Sequence, residues 1–145
     1  MNVSDLTERN IASWQHVIEG YESFLAIPGW EWLGPVLHLV KQIANSKRAQ
    51  LFRGGTAVWH LIISTAEQHG LKDEDPFVVV NIEKYQQDHP IQIEFWAGFD
   101  KKVDSCACDT QNILSALDPF LVRLWNETRG RSGEIYPLYK VHQEI

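Results

Sequence analysis

Apolar residues recur along this chain in two rhythms. Ile11, Trp14, Ile18, Tyr21 and Leu25 return at three- or four-residue intervals, which lines one side of a helix. Ser4 or Asp5 stands where an N-terminal cap belongs, and Pro28-Gly29 ends the segment. Pro35 suits the first turn of a second helix. Val36, Leu37, Leu39, Val40 and Ile43 make that helix apolar around much of its circumference. Two helices joined by a short loop pack antiparallel.

From Phe77 the rhythm changes. Phe77-Val78-Val79-Val80-Asn81-Ile82 is one β-type run, and Ile91-Gln92-Ile93-Glu94-Phe95-Trp96 alternates apolar with polar. Lys102–Cys108 is a weaker third run. Antiparallel sheets with one wet face carry this alternation. Asp88-His89-Pro90 and then residues 98–101 connect these runs. Asp109 or Thr110 can cap a C-terminal helix through Ile113, Leu117, Phe120, Leu121, Leu124 and Trp125. Asp118-Pro119 interrupts it, as a kink or as a fresh start. The run Arg129-Gly130-Arg131-Ser132-Gly133 reads as a mobile loop, and residues 134–141 as an extended segment that pairs at the sheet margin.

Between the helices and the sheet, residues 48–53 suit a short strand and residues 56–69 admit both periods. Ile62-Ile63-Ser64-Thr65 is β-branched, yet Val58, Trp59, Ile62, Ile63 and Ala66 share one helical side. Thr56 can cap such a helix and Gly70 can stop it. We read residues 56–69 as helix; a strand there would add a member to the sheet. The expected fold is α+β. An N-terminal helical hairpin and a C-terminal helix pack on one face of a sheet of three to five mainly antiparallel strands. The 145 residues form a single domain.

Composition narrows the function classes. A net charge of −6 opposes nucleic-acid binding, which needs a basic surface to release counterions. It suits a basic protein partner. No apolar run is long enough to cross a bilayer, and the N-terminus lacks a signal peptide's regions. A cytoplasmic location follows by default. Six tryptophans are the compositional oddity, since tryptophan fills cores and also anchors interfaces. Trp30 and Trp32 flank Glu31 in a turn-rich segment and are the candidates for exposure.

Candidate chemistry is sparse. Cys106 and Cys108 lie two apart, so a strand points both to one face, too far apart for an unstrained disulfide. With no second cysteine pair they do not complete a metal site, and neither metal nor cofactor is expected. Arg53-Gly54-Gly55-Thr56 can hold an anion if a helix begins at Thr56; a simple turn needs the same residues. On a helix His60 and Ser64 share a face, as a base and nucleophile would, although a solvated polar stripe is the simplest account of them. Arg129 and Arg131 offer a phosphate grip, or only solubility.

The reading that follows is a non-catalytic protein-binding module, such as an inhibitor or immunity-type protein that masks a basic partner. Trp30, Glu31 and Trp32 would make the contact, with Asp73, Glu74 and Asp75 steering. An enzyme or ligand-binding protein with a pocket near Gly54 to His60 is the alternative. A homodimer paired through the segment near Ile135 is a third.

Overall fold

A computed structural model describes residues 3–67, 71–82, 91–132 and 136. Helix α1 (Val3–Leu25) is followed by a 3-10 turn (Glu31–Leu33) and helix α2 (Gly34–Ala44). A one-turn helix α3 (Arg48–Leu51) leads into strands β1 (Arg53–Ala57) and β2 (His60–Ser64). Strands β3 (Phe77–Ile82), β4 (Ile91–Trp96) and β5 (Lys102–Cys108) precede helix α4 (Ile113–Glu127) and a final 3-10 turn (Arg129–Ser132). All five strands are antiparallel and stand in chain order.

Register decides where the helices sit. Gly54, Ile63, Val78, Phe95 and Asp104 form one row across the sheet. The Trp14 ring of α1 lies over Gly54. Arg123 of α4 lies 4.4 Å over the Phe95 ring and pairs with Asp104 at 3.4 Å. Both helices therefore cover the same face, as the amphipathic patterns require. Trp14, Tyr21, Leu39, Ile63, Ile93 and Leu117 fill the layer between them with no measurable exposure beyond 1%. The central strand β3 is buried along nearly all its length, because Phe77 and Val79 are covered on the second face as well.

Helix α1 also closes the open edge of β1. Ser13 Oγ accepts the Gly54 N–H at 2.9 Å, Trp14 Nε1 donates to the Phe52 carbonyl at 2.9 Å, and Asn10 Nδ2 donates to Gln50 O at 2.9 Å. An uncovered edge would invite pairing with another chain.

Several expectations need correction. Residues 56–69 do not form a helix: Ala57 pairs with His60 across a two-residue turn, and Leu61 and Ile63 face the core with strand period. The β-branched run prevailed because burial alternates by two once β3 lies alongside. Residues 48–51 turn as helix α3 rather than extending. Pro119 neither ends nor restarts α4, which runs through it. Helix α1 opens at Val3, ahead of the proposed caps Ser4 and Asp5. The Arg129 segment is a 3-10 turn in which Arg129 pairs with Glu67 at 3.2 Å. Gly70, the Asp88-His89-Pro90 connection and residues 134–141 apart from Tyr136 lie outside the described residues.

Candidate functional site

The hairpin between β1 and β2 turns at Val58 and Trp59. Two-residue hairpins of this kind want Gly, Asn or Asp where φ is positive. Here Val58 holds φ at +57°, a conformation costing a β-branched residue on the order of 1–2 kcal/mol. Among the described residues Val58 is also the most exposed of the large apolar side chains, at 67%. Tyr21, buried in α1, donates its hydroxyl to the Trp59 carbonyl at 2.7 Å and pins the turn to the helix layer. Desolvation pushes the Tyr21 phenol well above its ordinary pKa.

Around this turn the aromatic residues gather. Trp30 and Trp32 meet Trp59 edge-on, with ring centroids 5.9 and 6.0 Å apart. Phe24 stacks on Trp30 at 5.5 Å, and His60 meets Trp59 at 5.6 Å. All three tryptophans are half-buried. Sequence reasoning expected Trp30 and Trp32 to stand free, and they instead pack with Trp59 into a half-buried cluster; the exposed Val58 precedes Trp59 in the turn, and Ile27, 43% exposed, accepts the Trp30 N–H through its carbonyl. Glu31 is exposed beside them. Val58, Trp59 and Ile27 escaped the sequence reading because a helical 56–69 placed Val58 and Trp59 on an inward face. The signal was the single β-branched run Ile62-Ile63-Ser64-Thr65; Arg53-Gly54-Gly55-Thr56-Ala57 carries little strand signal of its own.

Asp73, Glu74 and Asp75 lie elsewhere. The Asp73 carbonyl accepts the Phe99 N–H at 2.9 Å, and Asp75 Oδ2 accepts the Lys72 N–H at 2.8 Å. Phe99 belongs to the β4–β5 loop, beyond the end of β3 that adjoins Ser64. The acidic turn and the tryptophan wall thus occupy opposite ends of the sheet. Gly98, at φ +145°, lets the two loops touch, since a Cβ there would meet Asp73 O at 2.8 Å.

Arg53, Gly54, Gly55 and Thr56 form strand β1, so the helix N-terminus expected to hold an anion does not exist. All four residues nonetheless line one cavity of about 380 Å³. His60 and Ser64 share a strand face, but four residues of extended chain put them about 13 Å apart, out of hydrogen-bond reach. Cys106 and Cys108 are half-buried thiols on the core face. Burial, then the neighbouring Cys106 and Asp109, pushes Cys108 up to about 11; burial and Asp104 raise Cys106. Thiols so protonated are poor nucleophiles. Among the described residues no three His, Cys, Asp or Glu side chains converge as metal ligands, and no helix is long and apolar enough to cross a membrane.

Comparison with protein families, curated proteins and solved structures finds no match to this chain.

Proposed function

We propose that this chain is a non-catalytic protein-binding module that docks a basic partner against the Val58 turn, in the manner of a cytoplasmic inhibitor or immunity-type protein. The observation that carries this reading is the strained, exposed Val58 in the turn whose next residue, Trp59, meets Trp30 and Trp32 edge-on. A free surface gains nothing from a β-branched residue in a left-handed turn, whereas a docked partner can bury it. Tryptophans clustered beside an exposed apolar side chain match the composition of binding hot spots.

Charge supports the sign of the partner. From Asn10 to Val40 the chain has no Lys or Arg but three glutamates, Glu19, Glu22 and Glu31. A basic surface on the partner would meet these acids and stack cations on the indole faces. The turn at Asp73, Glu74 and Asp75 plays a smaller part. More than about 13 Å of strand separates it from Trp59, beyond the screening length of about 8 Å at physiological salt.

Affinity capture from the source cell, with the full chain as bait, tests this. A stoichiometric basic protein is expected, retained by a D73N/E74Q/D75N chain and reduced at least about tenfold by Val58→Asp. Equal recovery with Val58→Asp, or a partner that is acidic, would overturn the reading.

A further inference from the structure

The second face of the sheet carries a trough. Its floor is Gly55 and Ile62, a directly paired couple on β1 and β2. Leu71 lines it together with Phe77 and Phe99, whose rings stand 5.7 Å apart. The volume, about 380 Å³, falls in the range of small-molecule pockets, roughly 300–1,000 Å³.

The two glycines of β1 differ in what they require. A Cβ on Gly54 would meet the Trp14 ring at 2.9 Å, so packing dictates that glycine. A Cβ on Gly55 would meet nothing within 4 Å, and its φ lies outside the left-handed region. Neither backbone nor packing calls for Gly55. A glycine inside a strand weakens it and often marks where a ligand approaches the backbone closely.

Ser64 adds a polar handle. It lines the same trough and is only 5% exposed. Its oxygen accepts the Ala66 N–H at 3.3 Å, and among the described residues its own O–H reaches no acceptor. A buried donor left this way costs free energy, which a ligand's acceptor would relieve. Along the extended strand Ser64 stands about 7 Å from Ile62, so the handle and the apolar floor are within reach of one small molecule. Charges of both signs stand around the trough: Arg53, itself engaged within the chain, and Glu67 and Asp75 in the adjoining cavity that shares Ala66 and Leu71. An ion of either sign would meet repulsion as well as attraction, after a costly loss of water. A neutral ligand avoids both.

From this geometry we infer a binding site for a small uncharged molecule that carries one hydrogen-bond acceptor, such as an aryl or alkyl ketone. Its apolar body lies over Gly55 and Ile62 against Phe77 and Phe99, and its carbonyl oxygen accepts the Ser64 O–H. A side chain at position 55 would fill that space without touching the core.

Acetophenone, its near-isosteres α-methylstyrene and benzoate, and cationic benzamidine are suitable probes, titrated into the full chain and followed by backbone amide shifts and calorimetry. Acetophenone is expected to shift Gly55, Ile62 and Phe77 and to bind at least about tenfold more tightly than benzoate or benzamidine, which must shed an ion's water. Ser64→Ala should weaken acetophenone about fivefold, the margin of one net hydrogen bond, and leave α-methylstyrene, which lacks the acceptor, unchanged. Gly55→Val should fold with unchanged or higher thermal stability and lose acetophenone binding. Phe99→Glu, at a side chain 48% exposed, provides a second block that leaves the core intact. The inference falls if acetophenone fails to bind, or if benzoate or benzamidine binds as well. It falls equally if Ser64→Ala leaves the ratio of the acetophenone and α-methylstyrene affinities unchanged, or if folded Gly55→Val or Phe99→Glu binds acetophenone like the parent chain. Val58→Asp should leave acetophenone binding intact, which separates this site from the partner surface.

Discussion

Val58 carries a stability cost and, in the proposed function, a docking role on the same side chain. Replacing it with glycine removes the left-handed strain of about 1–2 kcal/mol and adds back roughly 0.5–1 kcal/mol of chain entropy. Val58→Gly is therefore expected to raise the melting temperature by a degree or two, read by thermal unfolding, while weakening partner capture. A variant that is both more stable and less active marks strain kept for binding; a drop in stability would show that Val58 packs usefully in the free chain. At the same scale, Gly54 and Gly55 show how far sequence can be read. Adjacent glycines look alike as letters. Only the Trp14 ring above Gly54, and the open space above Gly55, tells them apart.

At the scale of elements, α3 and α4 are joined by Arg48 and Asp118. The guanidinium donates twice, Nε to Oδ1 at 2.7 Å and Nη2 to Oδ2 at 2.6 Å, with both side chains largely buried. The hydrogen bond to Asp118 holds Arg48 still more firmly protonated, against the opposing effect of burial. Asp118→Asn leaves a buried cation half-satisfied and should cost about 2–3 kcal/mol in urea unfolding; a change under about 0.5 kcal/mol would mean that solvent screens the pair. Asp118-Pro119 was read as an interruption, yet α4 continues through it. Proline's missing N–H argued for a break, but Phe120, Leu121, Leu124 and Trp125 bury the following turns in the core, and packing outweighs one lost helix bond. The long helices and strands β3 and β4 were legible because their apolar periods are clear, and β5, mostly exposed, was legible more faintly. Strands β1 and β2 were not, since Val58, Trp59, Ile62 and Ile63 fit both periods and only pairing with β3 resolves them. That ambiguity also hid the candidate site. Trp30 to Trp32 was visible from its composition, but the turn completing it lay inside the misread segment.

For the molecule as a whole, the buried titratable groups set a common pH limit. Burial raises Tyr136 to about 12, Cys108 to about 11, and Tyr21 as well. Each is neutral when protonated, so the folded state holds its proton at pH values where the unfolded chain releases it. Stability from these groups is fully present below about pH 9 and is lost as pH rises toward about 12. Urea midpoints should be level from neutral pH to about 9 and fall beyond it. Tyr21→Phe should flatten part of that fall, at about 1 kcal/mol lower neutral stability for the lost bond to Trp59. A midpoint that holds steady to pH 11 would contradict this burial.

The strand order carries a further consequence, for how the chain comes together. Every rung of the ladder joins segments that follow one another, so no strand waits for a distant mate. Loop-closure entropy stays small at each step, which favours rapid assembly. During synthesis the sheet can zip up in the order it leaves the ribosome, on α1 already made, with α4 and then Tyr136 packing afterwards.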